Sequence, residues 1–295
     1  MQYKTVIITG ANSGIGKAAA KQIADRGHQV ILACRNPERA KRAQQEIGGN
    51  THIGPLDLAS RQSIHNFTDW IHHTFDSIDV LINNAADFDL SRIDREMTAD
   101  GFERIWFTNH LAPILLADRL MDRLITSPQG RILNIFSKGL LMHPFQTVDL
   151  KDPMFRNRSF SVAKAYYQSK LAQIMHSRWL SQQLTGTMVT ANCINVTQAK
   201  LDLHRFPDLP QWIKNISTIQ ALFSITPEKM GSTYAEAALN AEAKELSGAL
   251  IDYPFKEIAT PAYAKDPLVI EQVMQLSFKQ LGLRPSISYE QPELD

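Results

Sequence analysis

Short apolar runs alternate with longer stretches whose apolar positions recur every three or four residues. Val6-Ile7-Ile8 predicts a strand, and the stretch 15–26 predicts a helix stopped by Gly27. The same pair of signals then repeats. Strands are expected at 30–33, 52–56 and 80–82, with helices at 37–47 and 60–73 between them. Pro37 stands in the first turn of one helix and Ser60 caps the next. Further along, a long helix is expected around 102–120, interrupted by Pro113. A strand at 131–135, a helix at 163–184, a strand at 188–196 and a seventh strand at 248–251 follow.

Continuous apolar runs bounded by turn residues are what a parallel sheet covered on both faces requires. Strand–helix alternation implies right-handed crossovers. The expected architecture is therefore α/β, a doubly wound parallel sheet of about seven strands with helices on both faces. No repeat, low-complexity tract or linker divides the chain, so a single domain is expected over 1–283, with a polar tail at 284–295. The rhythm breaks at about 199–225, which is rich in aromatics and carries Pro207 and Pro210.

Composition excludes several function classes. A hydrophobic fraction of 44% can bury a full core, so disorder of the whole chain is out. Lys and Arg number 31 against 30 Asp and Glu, a net charge of +1, so no strong field recruits nucleic acid or an anionic membrane. No membrane span is expected, because no run of about 18 apolar residues occurs. Cys34 and Cys193 are too few for a disulfide framework or a Cys-based zinc site, and no metal site is expected elsewhere. The natural reading is a reducing compartment, the cytoplasm.

The candidate chemistry begins after the first strand. Thr9-Gly10-Ala11-Asn12-Ser13-Gly14-Ile15-Gly16 runs straight into a helix. Glycines there let the backbone approach a pyrophosphate, and the helix start offers free N–H groups to it. Gly10, Asn12, Ser13, Gly14, Ile15 and Gly16 are thus candidate cofactor contacts. Arg35, with Asn36, follows the second strand where an adenosine ribose would lie. An NAD site tends to place an acid at that strand end; here Cys34 holds the place, and the guanidinium after it can fork onto a 2′-phosphate, which points to NADP(H). Asp57-Leu58 ends the third strand and can meet the adenine. Asn83-Asn84-Ala85 ends the fourth, where Asn83 and Ala85 would line the cleft. Tyr166 and Lys170 lie four apart on one helix face, a spacing at which an ammonium can lower a phenol's pKa. Ser137 ends the fifth strand, and Asn109 lies on the long helix before it.

Together these residues resemble the short-chain dehydrogenase/reductase family. The resemblance rests on the Thr9 to Gly16 loop, Asp57, Asn83-Asn84-Ala85, Asn109, Ser137 and Tyr166 with Lys170. A closer resemblance is to its retinol-dehydrogenase-like and protochlorophyllide-reductase-like branch. That is carried by Ala33-Cys34-Arg35-Asn36, Asp57-Leu58-Ala59-Ser60, Thr108-Asn109-His110-Leu111 and Gln168-Ser169-Lys170-Leu171-Ala172.

The resemblance implies a Rossmann fold and an NADP(H)-dependent oxidoreductase. Tyr166 would be general acid or base, and Lys170 would bind the nicotinamide ribose and lower the pKa of Tyr166. Ser137 would hydrogen-bond the substrate oxygen, and Asn109 would hold a water of a proton relay. Relatives pair through the helices holding Asn109 and Tyr166, which implies a homodimer or homotetramer unless the long C-terminal segment blocks that face.

The chain departs from the family at three places. Asn195-Val196-Thr197-Gln198 stands where Pro-Gly is usual, Phe136 where a serine is usual, and Ala112-Pro113 where Gly-His is common. The segment from Met142 to Arg158 is expected to wall the substrate pocket. The stretch 199–225, with Phe206, Trp212 and Phe223, is expected to form its lid, which suggests a small lipophilic alcohol or carbonyl as substrate. The competing function is a catalytically weakened dinucleotide-binding sensor or partner protein. The change at Val196-Thr197 favours it, and the intact Tyr166–Lys170 pair opposes it.

Overall fold

The computed structural model describes residues 3–143, 145–196 and 225–284. The expected lid at 199–225 therefore lies outside the described residues except for its last one, as do Thr197, Gln198 and the tail from 285 onward.

Eight strands form one sheet in the order β3-β2-β1-β4-β5-β6-β7-β8. Seven are parallel: β1 (Thr5–Thr9), β2 (Gln29–Cys34), β3 (Thr51–Pro55), β4 (Val80–Asn83), β5 (Arg131–Ser137), β6 (Thr190–Val196) and β7 (Leu250–Asp252). The eighth, β8 (Lys256–Ile258), turns back antiparallel to β7. The sheet expected from sequence thus gains one short edge strand. Its exposed Lys256 and Glu257 carry no apolar pattern, and charges of this kind protect an open edge.

Side chains alternate between two cores. Val6, Ile8, Val30, Leu32, Val80 and Ile82 face one side of the sheet, while Ile7, Ile31, Leu81 and Ile132 face the other. The first side is covered by α1 (Gly14–Asp25), α2 (Pro37–Ile47) and, from late in the chain, a helix over Pro227–Leu239. On the second side lie α3 (Arg61–Thr74), the long helical run after β4, the helix holding Tyr166 and a helix over Pro267–Leu281.

The long run is not one helix. It begins as α4 (Arg104–Trp106), passes through a π-helical turn (Phe107–Leu111) and resumes as α5 (Ala112–Arg119), followed by α6 (Met121–Ile125). The interruption expected at Pro113 falls just before it, and Pro113 sits in the first turn of α5. Proline has no N–H to give the carbonyl four residues back, and that carbonyl belongs to Asn109.

Next come α7 (Val162–Gln183), α8 (Pro227–Leu239) and α9 (Pro267–Leu281). The last two were not among the expected elements, although both open with a cap and a proline. Thr226 caps α8 before Pro227, and Asp266 caps α9 before Pro267. Gly282 ends α9 in the left-handed conformation.

The helix α9 lies against α7 and the π-helical turn. Trp106 donates to Gln280 Oε1 at 2.9 Å, Trp179 donates to Glu271 at 3.3 Å, and the Trp179 and Phe278 rings lie 5.0 Å apart. The face through which the family resemblance implies pairing is taken by the chain's own helix, so a homodimer or homotetramer would need another surface.

Two histidines are buried beneath α9. His110 Nε2 lies 2.7 Å from Ser277 Oγ, whose proton goes to the Val273 carbonyl, so the imidazole donates and its Nδ1 is left without a partner. His176 is also fully buried. Burial pushes His110 well below the ordinary 6.5, with His176 adding to the effect, and takes His176 down to about 3. Their folded pKa values lie below the unfolded ones, so the unfolded chain binds more protons in acid. The stability they contribute is full above pH 6.5 and is lost as pH falls toward 3, at up to about 1.4 kcal/mol per pH unit for each histidine. Urea midpoints measured across that range are expected to fall with acidification, and His176→Leu is expected to make the fall shallower by about one proton's worth.

Candidate active site

Because the strands are parallel, the chain ends of β1, β2, β4 and β5 open on one edge of the sheet. The order reverses between β1 and β4, and a crevice at such a switch point is where doubly wound sheets bind ligands. Two contacts tie the loops of β1 and β4 together. Asn84 Nδ2 donates to the Thr9 carbonyl at 2.8 Å, and the Ala85 N–H donates to Thr9 Oγ1 at 2.9 Å. Gly10 N–H donates to the Ala33 carbonyl at 2.8 Å, which fixes the loop to β2 as well. The Cys34 sulfur takes hydrogen bonds from the N–H groups of Ala11 and Asn12, while burial holds its thiol up at about 11.

Above this base the start of α1 is open. Ser13 is exposed and its hydroxyl caps nothing, so the N–H groups of Gly14, Ile15 and Gly16 keep their unmatched donors at the helix start. Arg35 is exposed at the end of β2. Asn36 caps α2 through the Arg39 N–H at 2.9 Å. Asp57 Oδ1 accepts from the Ala59 N–H at 3.0 Å and the residue remains half-buried; Leu58 packs into the core, so only its main chain is offered to a ligand. Asn83 is buried and donates to Asn134 within the sheet, and it is Asn84 beside it that reaches the loop.

At the end of β5, the Tyr166 hydroxyl is hydrogen-bonded to Ser137. Lys170 is buried one turn along α7, and its ammonium donates to the Ile135 carbonyl and to Gln173 Oε1, both at 2.8 Å. Burial alone takes the Lys170 pKa down to about 7. The ammonium sits 5.7 Å from the centre of the Tyr166 ring. The lowering of the Tyr166 pKa expected from the i, i+4 spacing is not what this geometry produces. Burial pushes the phenol upward, Tyr167 adds to it, and the bond with Ser137 opposes.

Asn109 lies in the π-helical turn. Its Oδ1 accepts from the Asp87 N–H at 2.6 Å and its Nδ2 donates to the Asp87 carbonyl at 3.0 Å and to Ser169 Oγ at 3.2 Å. The structure therefore brings Ser137, Tyr166 and Lys170 together and places Asn109 one contact away, through Ser169 on α7.

Comparison with known proteins matches this arrangement. A family profile described as short chain dehydrogenase matches residues 4–148. Retinol dehydrogenase 13 of Homo sapiens is 35% identical over 297 residues, covering 98% of this chain and 88% of that protein. Retinol dehydrogenase 14 of Homo sapiens is 32% identical over 302 residues, covering 96% and 88%. The chain belongs to the short-chain dehydrogenase family. Within it the resemblance is to the retinol-dehydrogenase-like branch. A crystal structure of an uncharacterized protein from Mycobacterium Paratuberculosis shares the fold, with a TM-score of 0.74 at 26% identity over 95% of this chain and 94% of that one.

Short-chain dehydrogenases are oxidoreductases of alcohol and carbonyl groups that use a nicotinamide cofactor, and the loop after β1 fits a dinucleotide. A Cβ placed on Gly16 would lie 2.5 Å from Asn84 Nδ2 and 2.9 Å from the Gly10 carbonyl oxygen, whereas one on Gly14 would meet nothing within 4 Å. The backbone is drawn tight below and left clear above, as a phosphate cradle requires. Among the described residues no helix is long and apolar enough to cross a membrane, and no group of three or more His, Cys, Asp or Glu comes together for a metal.

Sequence reasoning missed two positioning partners. Gln173, three residues after Lys170 on the same helix, was within reach of a spacing argument. Asp87 was not, because its contacts with Asn109 cross 22 residues of irregular chain. Arg158, at the end of the segment expected to wall the substrate pocket, is engaged within the chain. Arg158 donates to Gln168 Oε1 at 2.7 Å and to the Asp152 carbonyl at 3.0 Å, and its guanidinium stacks 3.7 Å above the Phe155 ring.

The close packing at Gly16 yields a direct expectation. Gly16→Ala should destabilise the fold by about 1–3 kcal/mol despite alanine's better helix propensity, because a backbone carbonyl must move. Thermal unfolding with and without dinucleotide should show the loss in both, and a weaker dinucleotide response in the variant.

Proposed function

We propose that the chain is an NADP(H)-dependent oxidoreductase acting on a lipophilic alcohol or carbonyl, with Tyr166 as its general acid and base. The observation that carries this reading is the Tyr166 hydroxyl bonded to Ser137 beside a buried Lys170, at the mouth of a phosphate cradle. When bound, the nicotinamide would supply or take up the hydride.

The protein's own groups supply position and proton. The phenol is protonated at neutral pH and can give its proton in carbonyl reduction; burial, which pushes its pKa upward, works against that transfer, and the hydrogen bond with Ser137 works for it. The Ser137 hydroxyl can donate to the same substrate oxygen as charge develops on it. Lys170, held near 7, sits where a small change in surroundings moves its proton on or off. It would anchor the nicotinamide ribose, and Asn109, fixed by Asp87, would hold the water that returns protons to it.

Arg35 supports NADP(H) over NAD(H), since it is exposed at the ribose end of the cradle with no acid at the strand end. Phe88, Leu90 and Phe160, half-buried around Tyr166, support a lipophilic substrate, as do relatives named for retinol. Two buried free thiols fit a cytoplasmic setting.

Two experiments test the reading. With a panel of lipophilic aldehydes followed by NADPH absorbance, Tyr166→Phe is expected to lower kcat by about a hundredfold or more while NADPH affinity changes little. Full activity in that variant would remove Tyr166 from the chemistry and favour the sensor alternative. Arg35→Glu is expected to cut the preference for NADPH over NADH by about ten- to a hundredfold, the worth of one charged hydrogen bond.

A further inference from the structure

The ring of Tyr166 is enclosed by two other aromatics. Phe88 lies against it with ring centres 4.1 Å apart and planes inclined by 35°, while Tyr167 meets it edge-on at 5.4 Å and 69°. The ammonium of Lys170 lies 5.7 Å from the same ring. What Tyr166 keeps for a substrate is its hydroxyl, next to Ser137. Phe88 is half-buried, as are Leu90 and Phe160, and all three pack with Tyr166 on one small core. A carbonyl whose oxygen meets the Tyr166 hydroxyl would have the Phe88 ring on one flank.

The residue before Phe88 is held by three side chains. The Asp87 carboxylate takes Arg92 Nη2 at 3.2 Å and Arg104 Nε at 3.0 Å. Its N–H and carbonyl are both engaged by the Asn109 side chain. The backbone that carries Phe88 is thereby held in place, with the Phe88 ring against Tyr166.

We infer that Phe88 is a specificity-determining residue, which limits the bulk a substrate can carry on one flank of its reacting carbon. The inference rests on the proposed reaction at Tyr166 and adds the feature that discriminates among its substrates. A wall of this kind admits a carbonyl whose second substituent is hydrogen and resists one whose second substituent is an alkyl chain.

The test compares kcat/KM, with NADPH, for a straight-chain aliphatic aldehyde and its isomeric methyl and propyl ketones. Phe88→Ala is expected to raise the ketone-to-aldehyde ratio by about tenfold or more, the scale on which one methylene of room is discriminated. Phe88→Trp is expected to lower the ratio further than wild type. Should Phe88→Ala fail to fold, Phe88→Leu takes its place and is expected to shift the ratio in the same direction by a smaller factor. In Phe88→Ala and Phe88→Leu, kcat for the aldehyde should fall more than KM changes, since the Tyr166 ring loses its aromatic neighbour. Ratios equal to wild type in variants that still bind NADPH would overturn the inference and leave the role of Tyr166 standing. A wild-type protein that reduces none of the three carbonyls would overturn the proposed reaction itself, and this inference with it.

Discussion

One buried charge organises this site. The Lys170 ammonium is held by the Ile135 carbonyl and by the side-chain oxygen of Gln173. Removing an ammonium from water is costly unless its donors are matched, and here the cost appears as a pKa drawn down to about 7. The bond to Ile135 reaches a strand interior, so α7 can sit on β5 in only one register. Tyr166 is then delivered to Ser137, two residues beyond Ile135.

The same logic of matched donors runs through the polar interior of α7. Ser169 meets Asn109, Gln168 accepts from Arg158, and Ser177 accepts from Asn134. Each of these bonds joins the helix to a different neighbouring element, namely the π-helical turn, the segment before α7, and β5. A helix with so many polar residues facing inward cannot be positioned by apolar burial alone. Buried polar groups that are satisfied at one placement only are a source of specificity in packing.

Much of this was legible in the amino-acid sequence. The strand-loop-helix context around Gly10, Gly14 and Gly16 and the spacing of Tyr166 and Lys170 are local signals, and the structure has that loop at the start of α1 and both side chains on α7. Pro113 foretold a break in the long helix, although the disturbance takes the form of a π-helical turn one step earlier. Contacts between remote segments left no trace. Nothing periodic announces that Asp87 will lock Asn109, or that Phe88 will lie on Tyr166. The direction of the Tyr166 pKa was likewise out of reach, since spacing shows which groups share a face and not how deeply they are buried. The capping signals at Thr226-Pro227 and Asp266-Pro267 stand in the sequence and open the two late helices.

The packing of α9 over α7 has a consequence for how the chain is made. Trp106, Trp179 and His110 lie in the first two-thirds of the chain, while Gln280, Glu271 and Ser277, which cover them, are among the last residues described. At a synthesis rate of about 5–20 residues per second, the outer surface of the catalytic helix waits for its cover on the order of ten seconds. During that interval the two indoles lack the partners that cover them, and the outer face of α7 is completed only once residues 271–280 have been made.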